Sequence, residues 1–237
     1  MKLSKEELIK IWLDTESKFT NYTNKIKGYR TKSKEQTFNR GFNCKISVQN
    51  IDCIEAAREL SKQGKTCMLN MASYKHPGGG VMRGAMAQEE ELARRSNMMV
   101  GLSQFEYPLA MDDVIYLSDV TFFKDGNYEV IDSFDCDVIT IAAVNLNGLP
   151  KPKDYADIMY DKAETMFAEA QKNGCKNLVL SAFGCGVFKN DPEDVASMFL
   201  DIMQYGGANG FDNIVFAILN DRNSVGSNFE IFSEILN

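Results

Sequence analysis

Two glycine-containing stretches and one acidic run contain the residue types from which we expect chemistry. The first stretch, KHPGGGVMRG, covers residues 75–84, and the acidic run QEEE follows at 88–91. The second stretch, SAFGCGVFKNDP, covers residues 181–192. Glycine lets backbone N–H groups approach an anion closely, as phosphate-binding loops do. Two such loops would suit a diphosphate.

The acidic run could supply a general acid. A carboxylic acid beside a bound diphosphate is partly buried and faces negative charge, and both raise its pKa, as a general acid for glycosidic cleavage requires. Successive side chains of a helix lie about 100° apart. Glu89, Glu90 and Glu91 therefore cannot all face one cleft, and we expect Glu91 to face solvent. The plainer alternatives are tight turns for the glycines and a charged helix N-terminus for the acids.

The apolar pattern alternates between strands and helices. Apolar, β-branched runs predict strands at residues 45–50, 66–73, 113–123, 137–145, 177–184 and 213–220. Helices are predicted at 52–62, 87–102, 154–172, 192–205 and 227–236, and a further helix starts at Ser4, which has capping-box spacing to Glu7.

This alternation favours an α/β fold, a three-layer α/β/α sandwich with a mixed, largely parallel central sheet. We expect one domain over residues 1–237, with an N-terminal helical extension over residues 1–40. Ligands of such folds bind beyond the carboxyl ends of strands, and both glycine stretches follow predicted strands. The two stretches are therefore the candidate binding loops.

Composition and charge exclude several classes of function. The net charge of −7 disfavours general nucleic-acid binding. No apolar run approaches the roughly 20 residues that cross a membrane, and the N-terminus has no signal-peptide pattern. The six cysteines form no CxxC pair and there is one histidine, so we expect neither a metal nor another cofactor. We expect a cytoplasmic monomer with no membrane partner.

Taken in order, these stretches resemble a known family. GGGVMRGAMAQEE resembles the Gly-Gly-Gly, short spacer, Gln-Glu-Glu signature of bacterial-type poly(ADP-ribose) glycohydrolases, which have a macrodomain-like fold. NMASYKHPGGG is similar to that family's first loop, QEEELARRS to its catalytic helix and FGCGVFKNDP to its second loop. The resemblance is densest over residues 70–102 and 137–220.

The resemblance implies roles for the site residues: the Gly78–Gly80 and Gly184–Phe188 loops would hold the diphosphate, and Phe188 and Asn70 would contact the distal ribose. Glu90 would be the general acid that protonates the oxygen between two riboses, and Glu89 would hold ribose hydroxyls. The implied substrate-binding residues are Asn70, Gly78, Gly79, Gly80, Gln88, Gly184, Cys185, Gly186, Val187 and Phe188. The residues alone leave two readings open for Asn70, a turn residue or a ribose contact, and two for Phe188, a core ring or a stacking ring.

The resemblance also implies the reaction. The predicted enzyme cleaves the ribose–ribose bond of poly(ADP-ribose), its ligand, and releases ADP-ribose. The acidic composition favours attack at the chain end, because a net negative surface grips a long polyanion poorly. Two alternatives remain open: removal of mono-ADP-ribose from protein or nucleic acid, and a macrodomain that binds ADP-ribose without hydrolysing it.

Overall fold

The computed structural model describes residues 3–22, 26–39, 44–220 and 228–236. Its helices are α1 (Lys5–Ser17), α2 (Cys53–Ser61), α3 (Gln88–Arg95), α4 (Met98–Leu102), α5 (Tyr155–Lys172), α6 (Pro192–Ile202) and α7 (Asn228–Leu236). Its strands are β1 (Lys27–Lys32), β2 (Lys45–Gln49), β3 (Thr66–Met71), β4 (Asp113–Lys124), β5 (Val130–Ile141), β6 (Asn177–Leu180) and β7 (Asn213–Ala217).

The seven strands form one mixed sheet in the order β1-β4-β5-β3-β6-β7-β2. Strands β4 and β5 pair antiparallel, whereas β3, β6, β7 and β2 pair in parallel. Strands β3, β6 and β7 are largely apolar and buried, as expected where both faces of a sheet are covered. Strand β2, at the end of the strand order, is only partly buried. The predicted α/β class with a mixed sheet is confirmed.

The chain divides into two compact units. The first contains Met1–Thr31 and Asn70–Ala142, and the second contains Lys32–Leu69 and Ala143–Asn237. The first glycine loop and the acidic run belong to the first unit, and the second glycine loop belongs to the second. The single catalytic domain over residues 1–237 stays a prediction.

Local sequence signals explain where several helices begin. At α1 the Ser4 hydroxyl accepts a hydrogen bond from the Glu7 N–H, and the Glu7 carboxylate accepts one from the Ser4 N–H at 2.7 Å, which confirms the predicted capping box. The Asp191 carboxylate caps α6, and Pro192 occupies its first turn. None of the helices in the described ranges is long and apolar enough to cross a membrane.

Three predicted elements were wrong in their extent. The helix predicted at 87–102 is two helices, because Ser96 is extended and forms a bridge to Phe122 of β4. The strand predicted at 137–145 starts at Val130 and ends at Ile141. Its first half was missed because it is the polar part of a β-hairpin. The N-terminal helical extension includes strand β1, a polar strand at one end of the sheet order.

Other predicted ends also differ. The strand predicted at 177–184 ends at Leu180, and the helix predicted at 192–205 ends at Ile202 and continues as a wider turn over Met203–Gly207. Residue 227, the predicted start of the last helix, lies outside the described residues. The strands predicted at 66–73 and 213–220 also end early, at Met71 and Ala217.

Helix α1 is fastened to the helix that bears the acidic run. The Thr15 hydroxyl donates to the Arg94 carbonyl oxygen at 2.6 Å. The buried Lys124 ammonium donates to Asp14 and to the Thr15 hydroxyl, both at 2.7 Å. Because a buried ammonium needs such partners, this cluster fixes α1 against α3 and β4 and so helps to position the acids.

Candidate active site

The carboxyl groups of Glu89 and Glu90 lie side by side in the first turn of α3. The two residues are only 3% and 7% exposed. Glu89 accepts hydrogen bonds from the Ser73 N–H at 2.6 Å and from the Asn70 amide at 3.4 Å. Glu90 Oε1 accepts one from the Gly80 N–H at 2.8 Å. Its other oxygen, Oε2, is buried and has no hydrogen-bond partner in the described part of the chain.

Burial changes the ionisation of this pair. Burial raises the pKa of Glu89 to about 8, and the neighbouring negative charge of Glu90 raises it further, while the Ser73 N–H opposes both. A negative charge beside a buried carboxyl group favours the protonated form of that group. Glu89 therefore keeps its proton near neutral pH.

The first glycine loop makes room for these carboxyl groups. Gly78 and Gly79 have φ angles of 65° and 60°, which favour glycine. A Cβ on Gly79 would stand 2.4 Å from Glu90 Oε1 and 3.1 Å from Glu89 Oε2. The Gly79 N–H donates to the His76 carbonyl oxygen at 3.1 Å, and the Gly78 N–H interacts with Glu89. The loop therefore closes around the protein's own acids.

Asn70 and Gln88 join the end of β3 to α3. Asn70 is fully buried, and its amide nitrogen donates to the Thr140 hydroxyl at 3.2 Å. The Asn70 side-chain oxygen is buried without a partner among the described residues. Gln88 Oε1 accepts from the Met71 N–H at 2.8 Å. Asn70 thus keeps one acceptor oxygen that a ligand could use. The side-chain oxygen of Gln88 is already bonded to the end of β3.

The expectation that Glu91 faces solvent was wrong. The Tyr128 hydroxyl donates to Glu91, 2.9 Å from each oxygen, and Arg94 pairs with Glu91 at 3.0 Å. Arg94 is fully buried and also donates to the Ala85 carbonyl oxygen. Arg94 is therefore a structural cation. Helical periodicity could not show this, because Tyr128 comes from the β4–β5 turn.

Tyr107 is a residue that the sequence did not point to. Its hydroxyl is buried and has no hydrogen-bond partner within the described ranges. Burial, and then the negative charge of Glu89, raise the pKa of the Tyr107 hydroxyl above its ordinary value. Tyr107 therefore presents an O–H donor near Glu89. A tyrosine in a loop before a strand carries no sequence signal for such a role.

Asn190 shapes the second glycine loop, and the sequence did not single it out either. Its amide nitrogen donates to the Val144 and Gly184 carbonyl oxygens at 2.9 and 3.0 Å, and its oxygen accepts from the Tyr155 hydroxyl at 2.8 Å. Gly184 has a φ of 77°, and a Cβ there would stand 2.4 Å from the Asn190 amide and 2.6 Å from the Ala143 Cβ. This packing therefore requires glycine at position 184.

Most N–H groups of the second loop are open. In the described part of the chain no acceptor faces the N–H groups of Gly184, Gly186, Val187 and Phe188. Neighbouring N–H groups without partners in a turn are a common way to bind an anion. Val187 is 57% exposed, and Phe188 is half-buried. The ring of Phe188 is thus partly accessible.

Cys185 differs from its neighbours. Its N–H donates to the Ala182 carbonyl oxygen at 3.1 Å, and its side chain is buried. Burial, followed by the negative charge of Asp191, raises the pKa of the Cys185 thiol to about 12. The thiol is therefore protonated at neutral pH and unsuited to nucleophilic chemistry.

The structure gathers the predicted residues of the first unit into one site and places the others on one loop of the second. The first group is Asn70, Gly78, Gly79, Gly80, Gln88, Glu89 and Glu90, and the second is Gly184–Phe188. Within the described residues no group of three or more histidine, cysteine and acidic side chains could hold a metal ion. Glycoside hydrolysis uses a pair of carboxyl groups as its acid–base groups, and Glu90 keeps one oxygen without a partner among the described residues.

Comparison with known proteins agrees with this class. Residues 9–125 match the family model of the microbial-type poly(ADP-ribose) glycohydrolase (PARG) catalytic domain. The structure is similar to that of the PARG from Thermomonospora curvata, with 25% identity, a TM-score of 0.80 and coverage of 97% of this chain and 99% of that one. No curated protein sequence matched.

The PARG from Deinococcus radiodurans, solved in complex with ADP-ribose, is also similar. It has 26% identity and a TM-score of 0.72, with coverage of 98% of this chain and 90% of that one. The predicted family is thereby confirmed.

Proposed function

We propose that this protein hydrolyses the ribose–ribose O-glycosidic bond of poly(ADP-ribose) and releases ADP-ribose, with Glu90 as the general acid. The enzyme class, a glycohydrolase acting on ADP-ribose polymers, is supported by the family match and by the solved relatives. One observation carries the residue assignment. Glu90 has one oxygen fixed by the Gly80 N–H and the other buried without a partner among the described residues.

Glu90 Oε2 is the atom that would deliver the proton. The proton passes to the oxygen between the two riboses, the bond from that oxygen to the anomeric carbon breaks, and the electron pair stays on the oxygen. The leaving ribose gains a neutral hydroxyl, and the anomeric carbon becomes part of an oxocarbenium ion. Water adds to this carbon, and its surplus proton returns to the Glu90 carboxylate.

Glu89 and Asn70 would hold the ribose that becomes the cation. Both Glu89 oxygens already accept hydrogen bonds, so Glu89 is less free than Glu90 to reach the scissile oxygen. The buried Asn70 oxygen can accept from a ribose hydroxyl, and the Tyr107 hydroxyl can donate to one. A buried polar group without a protein partner can form its hydrogen bond only with a ligand. Such a group therefore favours a ligand that supplies the missing partner.

The second glycine loop would hold the diphosphate. The N–H groups of Gly186, Val187 and Phe188 are available for phosphate oxygens, and the partly accessible Phe188 ring would order the distal ribose. Gly78–Gly80 would let the sugar approach, because these residues have no side chains. Attack at the chain end, a cytoplasmic location and a monomeric state remain predictions.

The test compares wild type with Glu90→Gln. Both are incubated with poly(ADP-ribose) in EDTA, and free ADP-ribose is followed by chromatography, with Glu6→Gln on the exposed face of α1 as the control. Glutamine keeps an acceptor for the Gly80 N–H but has no proton of suitable acidity. We expect release by wild type and by the control, and a loss of about 10³-fold in Glu90→Gln with ADP-ribose affinity retained.

Other outcomes would redirect the assignment. Activity in Glu90→Gln close to wild type would remove Glu90 as the acid. No release by any of the proteins would contradict polymer hydrolysis. ADP-ribose binding without turnover would then identify a reader, and release from a mono-ADP-ribosylated substrate alone would identify a mono-ADP-ribosyl hydrolase.

A further inference from the structure

From the end of the first glycine loop to the start of α3, three large side chains are exposed. Met82 is 60% exposed and Met86 is 42% exposed, and the exposed Arg83 lies between them in sequence. We call these three residues the methionine–arginine ridge. Large apolar side chains left in water at one place are a common mark of a binding surface.

The backbone of the ridge is held firmly from both sides. The N–H groups of Arg83 and Ala85 both donate to the Gly80 carbonyl oxygen, at 2.9 and 3.2 Å, and the buried Arg94 donates to the Ala85 carbonyl oxygen. Gly84, with a φ of 69°, lies so close to α1 that a Cβ would stand 2.6 Å from the Lys5 carbonyl oxygen. The exposure of the two methionines is therefore a feature of an ordered segment.

The ridge starts beside the general acid. Arg83 Nη2 and Glu90 Oε1 lie 4.0 and 3.7 Å from the position that a Cβ on Gly80 would occupy. The Gly80 N–H is also the group that holds Glu90. A general acid contacts the oxygen of the leaving group. Groups next to Glu90 are therefore placed to contact the rest of the leaving group.

We propose that the methionine–arginine ridge binds the leaving nucleotide of the polymer, the ADP-ribose unit on the far side of the scissile bond. This inference rests on the proposed function. The leaving unit carries an adenine ring and a diphosphate. Methionine thioethers pack well against aromatic rings, and an arginine guanidinium pairs with phosphate oxygens through paired N–H groups. Proteins that bind single-stranded nucleotide polymers combine positive charge with side chains that pack against the bases.

Two variants test the ridge, Arg83→Gln and the double variant Met82→Ala/Met86→Ala. The measurements are kcat and KM on poly(ADP-ribose) and the Kd of free ADP-ribose. Free ADP-ribose is the retained unit and has no leaving nucleotide, so its Kd should stay within twofold of wild type. We expect the polymer KM to rise at least about fivefold in each variant, and the salt dependence of KM to weaken in Arg83→Gln.

Matched controls are Lys10→Gln, which removes an exposed cation from α1, and Val130→Ala, which removes a side chain that is 56% exposed at the start of β5. Both should leave the polymer KM unchanged. A polymer KM within twofold of wild type in both ridge variants would overturn the inference while leaving the proposed function intact. An equal weakening of ADP-ribose binding would place the ridge at the retained unit and also overturn it. If wild type releases no ADP-ribose from polymer, the proposed function fails and the inference fails with it.

Discussion

The two glycine loops of this protein use the same residue type for different purposes. In the first loop the N–H groups of residues 78–81 already face acceptors of the protein itself, among them the carboxyl groups of Glu89 and Glu90. In the second loop the N–H groups of Gly186, Val187 and Phe188 face no acceptor in the described part of the chain. The first loop positions the protein's own acids, whereas the second leaves N–H groups that, under the proposed function, would bind the diphosphate.

The difference shows that a glycine-rich sequence does not reveal what its backbone binds. At Gly79 the missing side chain is needed because two carboxyl groups crowd the position. At Gly186 a Cβ would meet nothing within 4 Å, so the protein itself does not require glycine there. A ligand that approaches the backbone closely gives the physical reason for glycine at that position.

The largest expected effect is that of Gly79→Ala on turnover. The new methyl group displaces Glu90, and alanine is strained at this positive φ. We expect kcat on poly(ADP-ribose) to fall at least about 100-fold, because small displacements of catalytic groups have effects of this size. Gly126→Ala, in the open β4–β5 turn, is the control. A kcat within threefold of wild type would show that the first loop does not position the acid.

Removing the charge of Glu89 should change how stability depends on pH. The Glu89 pKa rises from 4.5 in the unfolded chain to about 8 in the fold, so between these values the folded protein binds one more proton. The free energy of unfolding of wild type therefore falls as pH rises through this window. Glu89→Gln resembles the protonated acid and escapes this loss.

We expect Glu89→Gln to gain stability relative to wild type, by on the order of 2–4 kcal/mol, between about pH 5 and about pH 9. Denaturant unfolding of both proteins at the two pH values measures this difference, and Glu6→Gln is the exposed control. A difference that does not change with pH would contradict the buried, proton-retaining pair that the first loop encloses.

Gly186→Ala should act on binding and leave the fold intact. The added methyl group meets open space in the free protein but stands where the diphosphate would approach. We expect the Kd of ADP-ribose to rise about tenfold, or about 1.4 kcal/mol, with Tm within about 2 °C of wild type. Calorimetric titration and thermal unfolding measure the two quantities. An unchanged Kd would remove this residue from the ligand contacts.

The smallest expected effect is that of Tyr155→Phe. This change removes the hydroxyl that donates to Asn190, the residue that holds the second loop. We expect unfolding to become easier by about 1 kcal/mol and the Kd of ADP-ribose to rise two- to threefold. Tyr160→Phe, which removes a hydroxyl from the same helix, is the matched control for Kd. A larger rise of the ADP-ribose Kd in Tyr160→Phe than in Tyr155→Phe would contradict the link through Asn190.

Much of the fold could be predicted from the sequence because its strands are apolar and its helices have clear start signals. Ser4 with Glu7 marked one helix start that the structure confirms, and the predicted start of a helix at residue 192 is also confirmed. Strand β1 and the first half of β5 escaped prediction, because polar edge and hairpin strands lack an apolar pattern. The break between α3 and α4 depends on a bridge from Ser96 to a distant strand, which local periodicity does not contain.

The candidate site could be predicted only in part. The glycine triplet and the Gln-Glu-Glu run pointed to Glu89, Glu90 and Asn70, because a short signature carries them. Tyr107 and Asn190 could not be found in this way, since each acts through contacts made by folding. The role of Glu91 was predicted wrongly for the same reason, as its partner Tyr128 lies 37 positions away in the chain.

A crystal structure of the wild-type protein with ADP-ribose would test most directly whether the first loop positions the acids and the second binds the diphosphate. The account predicts diphosphate oxygens within hydrogen-bond distance of the N–H groups of Gly186, Val187 and Phe188, with the Gly80 N–H still bound to Glu90. A diphosphate bound instead to the N–H groups of Gly78–Gly80, with Glu90 released from Gly80, would contradict it.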